Sequence, residues 1–555
     1  MGEGKRIMSD ILRLAKQPTP ENWERICSLL STETQQQLID GLDQCEKSLD
    51  HWPDELRVCP ENWFEQLLSG VAFSSLQLVR CLSRKQTRKL LNDRNIQKLL
   101  QSQHLANLTI LDFAFRFGGE EISDDAFTSA DMAVLMDRED LKFHTIKLSR
   151  FIDTESVARL LRSPAVSNCR NIDLNWAKVF PDQIVEAVID SEYLPPISHL
   201  NLCWASDGKV GYPQSLSDGG LKRLMESDAS RELKSFIYRG FGITAEGIKT
   251  LADSPNARSI CELELGLSRV GVKPVQYLAE SKHLGNQTSF RYIDAHAGDD
   301  ALRLIAESAK LAEKLEKLYL DSNCFSKKGV PYLVASKYLK NLKELSLSGS
   351  PDIGDQGSIA LASADWFKNL QIIDMSRVGM GNKGLKAMLD ACGQPVHLDI
   401  GFNRFENGAL KMIAECSALS KLRSLNLNSC ESVDACDIEA FANSQFLKNV
   451  ESLELAFSLE FSLDDLLIAM SRSSTWENLK QLNLSHSCRG TVEHSETNER
   501  VFSCRGMLSV KGIAALANSS CFKGIELLKL NNCFLDDEAM AVSYTHLTLP
   551  TNREV

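Results

Sequence analysis

The sequence has no excess of basic residues and no long apolar run. Its 62 Lys and Arg residues are outnumbered by 74 Asp and Glu residues, which gives a formal net charge of −12 at pH 7. Nucleic acids and anionic membranes attract basic protein faces, so we expect neither as a partner. No apolar run reaches the roughly 18 residues that a membrane-spanning helix needs. The charged start "MGEGKRIMSD" is not followed by the apolar core of a secretory signal.

The common catalytic and metal-binding motifs are also missing. We find no G-x-S-x-G, no phosphate-binding P-loop, no H-E-x-x-H and no C-x-x-C pair. The 16 cysteines lack the dense, regular spacing of a secreted disulfide scaffold, and we interpret most of them as buried thiols in a reducing compartment. We therefore expect a cytoplasmic protein that is not an enzyme and that uses no cofactor and no metal.

What the sequence does contain is a repeat. Apolar L-x-L pairs recur along the chain, mostly at steps of 25 to 30 residues, and such a period is typical of a solenoid. The clear pairs are Ile172/Leu174, Leu200/Leu202, Phe236/Tyr238, Leu263/Leu265, Leu318/Leu320, Leu345/Leu347, Ile373/Met375, Leu398/Ile400, Leu425/Leu427, Leu453/Leu455, Leu482/Leu484 and Leu528/Leu530. Weaker copies lie at Leu111/Phe113, at Ile146/Leu148 and around Ile293.

The second half of each unit repeats as well, as G-x-x-x-L-A-x-S or a near copy. "GIKTLADS" from Gly247 and "GIAALANS" from Gly512 are examples. Their apolar residues recur at i, i+1, i+4 and i+5, which predicts a helix with one buried face. Between strand and helix we expect a small side chain to satisfy buried backbone groups at the turn. That position holds Asn323, Ser350, Asn403, Cys430, Ser458, Ser487 and Cys533.

These features resemble the leucine-rich-repeat family, and specifically its long, helix-backed type, which the cytosolic ribonuclease inhibitor represents. The resemblance covers roughly Leu105 to Cys533 and rests on about fifteen units. It implies a right-handed α/β horseshoe solenoid with a parallel sheet on the concave side and helices outside. It also implies a non-catalytic scaffold, adaptor or inhibitor that binds proteins. The alternatives are a substrate-recognition subunit in a signalling, host-directed or ubiquitin-ligase pathway, and an enzyme whose site lies outside the repeats.

The glycines of "GMGNKG", Gly379, Gly381 and Gly384, have the G-x-G-x-x-G spacing of a dinucleotide-binding loop. However, Gly384 matches the helix-opening glycine of the neighbouring units, and the other two belong to a variable loop. A phosphate-binding turn also begins as its strand ends, whereas three residues separate Met375 from Gly379. We interpret the motif as a coincidence of the repeat.

We predict three segments along the chain. Residues 1–104 lack the L-x-L period and form a small helical domain or cap. Within them, "PENWERICSLL" from Pro20 and "PENWFEQLLSG" from Pro60 indicate a duplicated helical pair. Such a domain can cover the open edge of the solenoid, residues 105–541, or dock a partner. The Thr-rich residues 542–555 place Pro550 where a helix should run, and we interpret them as a translated sequencing-adapter artefact.

An insertion after Leu484 holds His486, Cys488, His494 and Cys504. These are zinc-ligand types, but their spacing fits no common structural zinc pattern. A zinc site, a disulfide between Cys488 and Cys504, and a polar loop are the three hypotheses, of which we favour the loop.

The residue between the two apolar positions of L-x-L points away from the core, onto the concave sheet. The residues there that we predict to contact a partner are Asp173, Glu264, Asp294, Tyr319, Asp374, Asp399 and Glu454. Strands about 4.8 Å apart place Asp374 and Asp399 within a Debye length of each other, so together they favour a cation. We expect a protein or peptide partner with a basic face. The alternative is that these acids only solvate the sheet.

Overall fold

The computed structural model describes residues 3–30, 42, 44–69, 74–92, 95–113, 128–148, 153–203, 215–267, 269–428, 434–455, 463–485, 491–494, 500–503 and 508–530. The chain divides into two compact units, Met1–Glu262 and Leu263–Val555, and each is described by itself.

Short parallel strands recur through both units, one in each repeat. The described strands are β1 Ile110–Phe113, β2 Thr145–Leu148, β3 Asn171–Asp173, β4 His199–Cys203, β5 Ser235–Gly240, β6 Glu262–Leu267, β7 Ser289–Ile293, β8 Lys317–Tyr319, β9 Glu344–Ser346, β10 Ile372–Asp374, β11 His397–Asp399, β12 Ser424–Asn426, β13 Ser452–Glu454, β14 Gln481–Asn483, β15 Thr491–His494, β16 Arg500–Ser503 and β17 Leu527–Lys529. Within the first unit the parallel order is β1-β2-β3-β4-β5, and within the second it runs from β7 in chain order to β14, which pairs with β17. Strands β15 and β16 form a separate pair.

The strand register confirms the predicted L-x-L period. In the first unit, the apolar positions of β1 to β5 form one row, so the weaker copies at Leu111 and Ile146 are true members. In the second unit, the leucine row continues from β8 through β14 to β17. Each fully buried leucine contributes about 1.5–3 kcal/mol. Repetition of this one contact holds successive repeats together.

A helix follows most strands. Among the residues that the structure describes, the helices of the first unit include Glu3–Leu14, Pro20–Leu30, Glu61–Ser69, Arg84–Asn92, Ile96–Gln101, Ser129–Met136, Thr154–Leu161, Pro181–Ile189, Asp218–Glu226 and Ala245–Asp253. Those of the second include Lys273–Glu280, Gly298–Glu307, Ala309–Ala312, Val330–Val334, Gly354–Ala362, Asn382–Ala391, Ala409–Glu415, Ala435–Ala442, Leu463–Ser471 and Val510–Asn518. The G-x-x-x-L-A pattern is helical as predicted: Gly247, Ile248, Leu251 and Ala252 form one buried face.

An aspartate at the start of one helix caps the helix of the next repeat. In the first unit, the Asp182 carboxylate accepts hydrogen bonds from the Ser217 amide at 2.9 Å and hydroxyl at 2.6 Å. Within the second unit, Asp299 accepts the same two bonds from Ser326. The helix-opening glycine makes room for this carboxylate. A Cβ on Gly329 would lie 2.3 Å from Asp299 Oδ1.

The small polar residues at the turns have the predicted role where the structure describes them. Asn323 and Asn403 are buried, and each donates to main-chain carbonyls and accepts from main-chain amides of the preceding repeat. Ser350 accepts a hydrogen bond from the Phe325 amide at 3.3 Å. The other four predicted positions lie outside the described residues: Cys430, Ser458, Ser487 and Cys533.

The N-terminal region contains the two predicted helices, and Trp23 and Trp63 are buried. It also contains two extended segments, at Arg57 and Arg80, that the sequence pattern did not predict. The Arg80 amide donates to the Arg57 carbonyl, and the Thr109 amide donates to the Arg80 carbonyl, both at 2.9 Å. These bonds extend the backbone ladder of β1 to β5 by two short segments. The boundary at residue 104 and the capping role remain predictions.

The insertion after Leu484 includes the antiparallel pair β15 and β16, so it is not solely a loop. Several residues singled out in the sequence lie outside the described part of the chain: His486, Cys488, Cys504 and residues 542–555. The same holds for the side chain of His494. Across the described residues, no group of three or more His, Cys, Asp and Glu is placed to hold a metal ion. None of the described helices is long and apolar enough to cross a membrane.

Candidate functional site

The candidate site is the row of residues between the apolar positions of the strands in the second unit, which we call the outer row. The strand register aligns these residues one beside the next. In order from β8 they are Tyr319, Ser346, Asp374, Asp399, Asn426, Glu454, Asn483 and Lys529. Because strand side chains alternate between faces, this row faces away from the leucine row.

Asp374 and Asp399 are direct partners on the adjacent strands β10 and β11, as predicted. The Asp374 carboxylate accepts hydrogen bonds from the Ser376 amide at 3.0 Å and from the Ser376 hydroxyl at 2.8 Å. The Ser346 hydroxyl lies 3.1 Å from the same carboxylate, but its one proton has a closer acceptor in Asp321. The Asp399 carboxylate accepts from the Gly401 amide and from Asn426 Nδ2, each at 3.0 Å. All of these donors are neutral. They fix the carboxylates in place without cancelling their charge.

Burial and the neighbouring acids change the protonation of Asp399. Burial, followed by the charge of Asp374 and to a lesser degree that of Glu454, raises the pKa of Asp399 to about 7. Glu454 lies two strands further on, where its Oε2 accepts a hydrogen bond from Asn428 at 3.2 Å. Holding Asp399 ionised therefore costs the folded protein free energy.

Replacing Asp399 with Asn is expected to stabilise the second unit above neutral pH. The raised pKa means that the native carboxyl keeps its proton while the unfolded one, with a pKa near 3.9, loses it. The wild-type stability is therefore full below about pH 4 and falls as the pH rises through 7. We expect Asp399→Asn to be more stable by about 2 kcal/mol at pH 8 and to have no advantage at pH 4.

Urea unfolding at the two pH values measures this difference. The exposed Asp365 provides the control, since Asp365→Asn should change stability by less than about 0.5 kcal/mol. An equal effect of Asp399→Asn at both pH values would show that charge is not the cause.

The placement of Asp294 on the outer row is wrong. Strand β7 aligns Phe290 with Leu318 and Arg291 with Tyr319, so Arg291 occupies the outer position. Asp294 lies one residue beyond the strand, in the left-handed conformation with φ +55°. The apolar pair of this repeat is Phe290/Tyr292, which copies the aromatic Phe236/Tyr238. That similarity is the signal that could have corrected the alignment.

Arg291 places a positive charge beside Tyr319 and Glu264 in this part of the sheet. Its guanidinium lies 3.9 Å from the centre of the Tyr319 ring and 3.6 Å from the Glu264 carboxylate. The Tyr319 hydroxyl in turn donates a hydrogen bond to Glu344, and burial together with this bond raises its pKa. Two of the predicted partner-binding residues, Glu264 and Tyr319, are thus engaged with Arg291.

Asp173 belongs to the first unit, where it lies beside Asn201 and Lys147 on neighbouring strands. Its carboxylate accepts a hydrogen bond from the Asn175 amide at 3.0 Å. Of the seven residues predicted to contact a partner, the structure therefore brings together Asp374 and Asp399 and places Glu454 nearby. Ser376 and Asn426, which orient the pair, were not singled out because neutral residues carry no charge signal.

The G-x-G-x-x-G loop has an acid where a phosphate would bind. The amides of Gly381 and Gly384 donate to Asp355 Oδ1 at 2.8 and 2.7 Å. These donors lie at the start of the helix Asn382–Ala391, the position that attracts anions. A carboxylate from the preceding repeat occupies it, which supports the interpretation of the motif as part of the repeat.

Comparison with known families supports this description of the repeat. The family described as "Leucine Rich repeat" matches residues 338–362, which contain β9 and the helix Gly354–Ala362. This unit recurs through the parallel sheet. The fold is a leucine-rich-repeat solenoid. The ribonuclease-inhibitor-like subtype of the leucine-rich repeat remains a prediction.

Two solved structures are similar to this leucine-rich-repeat solenoid over most of its length. One is a chain of the yeast Rad7–Elc1 complex, with 14% identity, a TM-score of 0.44 and coverage of 82% of this chain and 94% of that one. The other is an internalin, InlF, from Listeria monocytogenes, with 12% identity, a TM-score of 0.33 and coverage of 76% and 89%. A search of curated proteins gives no match.

Proposed function

We propose that this protein is a non-catalytic interaction scaffold that binds a protein or peptide with a Lys- and Arg-rich face on the outer row of its second unit. The observation that carries the proposal is the in-register pair of Asp374 and Asp399, held by neutral donors. A cation placed between them would relieve the repulsion that raises the pKa of Asp399.

The setting of the pair also favours recognition. Backbone hydrogen bonds to both neighbouring strands fix β10 and β11, so little conformational entropy is lost when a partner binds. Surface charge of this kind raises the association rate more than the final affinity. A role as an adaptor, an inhibitor or a substrate-recognition subunit stays a prediction from the sequence.

The double variant Asp374→Asn with Asp399→Asn should bind a basic probe more slowly. With a fluorescein-labelled octalysine peptide in stopped flow at low salt, we expect the association rate constant to fall by on the order of fivefold. Its dependence on salt should flatten as well, because screening then has less attraction to remove.

A matched control shows whether the association rate depends on where the removed charges lie or only on the net charge of the protein. Asp365→Asn with Glu415→Gln also removes two carboxylates, both of them exposed and outside the outer row, and Glu415 is the last residue of the helix Ala409–Glu415. We expect this control to associate at nearly the wild-type rate. Equal slowing in both double variants would mean that the probe senses only total charge, and the outer row would lose its assigned role.

Binding at the outer row should also depend on pH. A bound cation favours the ionised form of Asp399, so the octalysine affinity should rise between pH 6 and pH 8. The Asp399→Asn variant cannot ionise and should show a flatter profile. An unchanged profile in this variant would place the titrating group elsewhere.

A further inference from the structure

The serine that ends L-A-x-S joins consecutive repeats. In the first unit, the Ser254 hydroxyl donates to the Met225 carbonyl at 2.7 Å. In the second, Ser336 donates to Ala306 at 2.7 Å, and Ser444 donates to Ala414 at 2.6 Å. Each acceptor is a carbonyl near the end of the preceding helix. The serines form a ladder of side-chain hydrogen bonds along the solenoid.

One rung of this ladder, Cys416, holds cysteine instead, and a second cysteine, Cys392, bonds to the same carbonyl from within its own repeat. Cys392 follows the helix Asn382–Ala391, and Cys416 follows the helix Ala409–Glu415. Their sulfur atoms lie 3.4 and 3.6 Å from one oxygen atom, the Leu389 carbonyl. The two thiols also hydrogen-bond each other, and both are half-buried. Two thiols on adjacent repeats that bond each other and share one acceptor oxygen meet the first requirement of a disulfide, which is proximity of the two sulfurs.

The two thiols differ in their readiness to ionise. The hydrogen bond donated by Cys392, assisted by the amides of Ala418 and Leu419, lowers the pKa of Cys416. The same thiol–thiol bond, together with burial, raises the pKa of Cys392. Cys416 is therefore the nucleophile of the pair, and Cys392 is the thiol that stays protonated beside it.

We propose that Cys392 and Cys416 are a redox-sensitive dithiol that hydrogen peroxide converts into a disulfide between consecutive repeats. The Cys416 thiolate attacks a peroxide oxygen and breaks the O–O bond, which gives a sulfenic acid and hydroxide. The Cys392 sulfur then attacks the sulfenic sulfur, its proton leaves with the displaced hydroxide as water, and the S–S bond forms. Two thiols and one peroxide thus become one disulfide and two waters.

Peptide mapping of the full chain tests the proposal directly. Trypsin cuts after Lys386, Arg404, Lys411 and Lys421, which leaves Cys392 alone in peptide 387–404 and Cys416 alone in peptide 412–421. After treatment with hydrogen peroxide and blocking of free thiols, the two peptides should appear cross-linked, lighter by two hydrogen atoms. The cross-link should disappear on reduction.

The repeat itself supplies the control for Cys416, because serine occupies this rung elsewhere, and serine is also the closest replacement in size for Cys392. In Cys392→Ser we expect Cys416 to accumulate as a sulfenic acid that dimedone traps. In Cys416→Ser we expect Cys392 to stay reduced. In the untreated protein, iodoacetamide at pH 7 should alkylate Cys416 roughly tenfold faster than Cys392.

Two results would overturn the proposal. One is oxidation of Cys416 to a sulfinic acid in the wild-type chain without any cross-link, since Cys392 would then be unable to reach it. The other is a disulfide from Cys416 to a different cysteine, such as the exposed Cys436.

Discussion

Replacing Asn403 with Ala is expected to destabilise the second unit by about 3–4 kcal/mol. The Asn403 side chain is 3% exposed. Its Oδ1 accepts from the amides of Val378 and Met380, each at 3.1 Å. Its Nδ2 donates to the carbonyls of Met375 and Ile400 at 2.7 and 2.9 Å. The variant leaves four buried backbone groups unsatisfied and opens a cavity, so its cost should exceed that of one lost hydrogen bond.

Hydrogen exchange measured on peptides from residues 372–400 gives a local measure of this loss. We expect faster exchange there, together with a lower urea midpoint. Asn443→Ala provides the control, because Asn443 is exposed and bonds only to Glu439 of its own helix. That variant should change stability by less than about 0.5 kcal/mol. If both variants cost the same, burial of the Asn403 bonds is not what holds this turn.

The role of Asn403 was predictable from the sequence because it depends on a position within the repeat. The same is true of the leucine rows, since each strand presents its apolar residues at a fixed distance from the helix. Prediction failed where the aromatic pair Phe290/Tyr292 replaced leucines and moved the alignment, which put Asp294 in the place of Arg291. It also failed at Arg57 and Arg80, where the extended segments are too short to carry an L-x-L pair.

The candidate site was predictable in a more limited way. The sequence places Asp374 and Asp399 side by side, because both occupy the same position in consecutive repeats. It could not give the raised pKa of Asp399, which depends first on burial by the surrounding chain. Nor could it give Arg291 as the partner of Glu264 and Tyr319, since that contact requires the correct register.

The aspartate caps were missed for a different reason. Each cap joins an acid to a helix start about one repeat later, and the number of residues between them varies. Asp182 caps at Ser217, while Asp464 caps at Ser509. A local sequence window contains the glycine and the cap residue but not the acid. The glycine could therefore be recognised as part of the repeat, whereas the reason why glycine is needed there could not be read from the sequence.

The contact between the capping carboxylate and the helix-opening glycine predicts opposite effects of alanine at two adjacent glycines of the helix Asp218–Glu226. A Cβ on Gly220 would lie 2.1 Å from Asp182 Oδ1, whereas the nearest atom to a Cβ on Gly219 is 3.6 Å away. We expect Gly220→Ala to destabilise the first unit by about 2–3 kcal/mol, because Asp182 must leave the helix start and release Ser217. Gly219→Ala should stabilise it by about 0.5–1 kcal/mol, since alanine favours the helix.

A double-mutant cycle with Asp182 identifies the cause of the difference. Asp182→Ala alone should cost about 1–2 kcal/mol, as loss of a helix cap does. In Asp182→Ala with Gly220→Ala the contact with the carboxylate is gone, and the close contact that remains for the new Cβ is Leu216 Cδ1 at 2.9 Å. The double variant should therefore be much less destabilised than the sum of the two single costs. Urea unfolding of the four proteins gives the coupling free energy directly. If the two single costs simply add, the glycine is required by its own backbone, and the carboxylate of the preceding repeat has no part in selecting it.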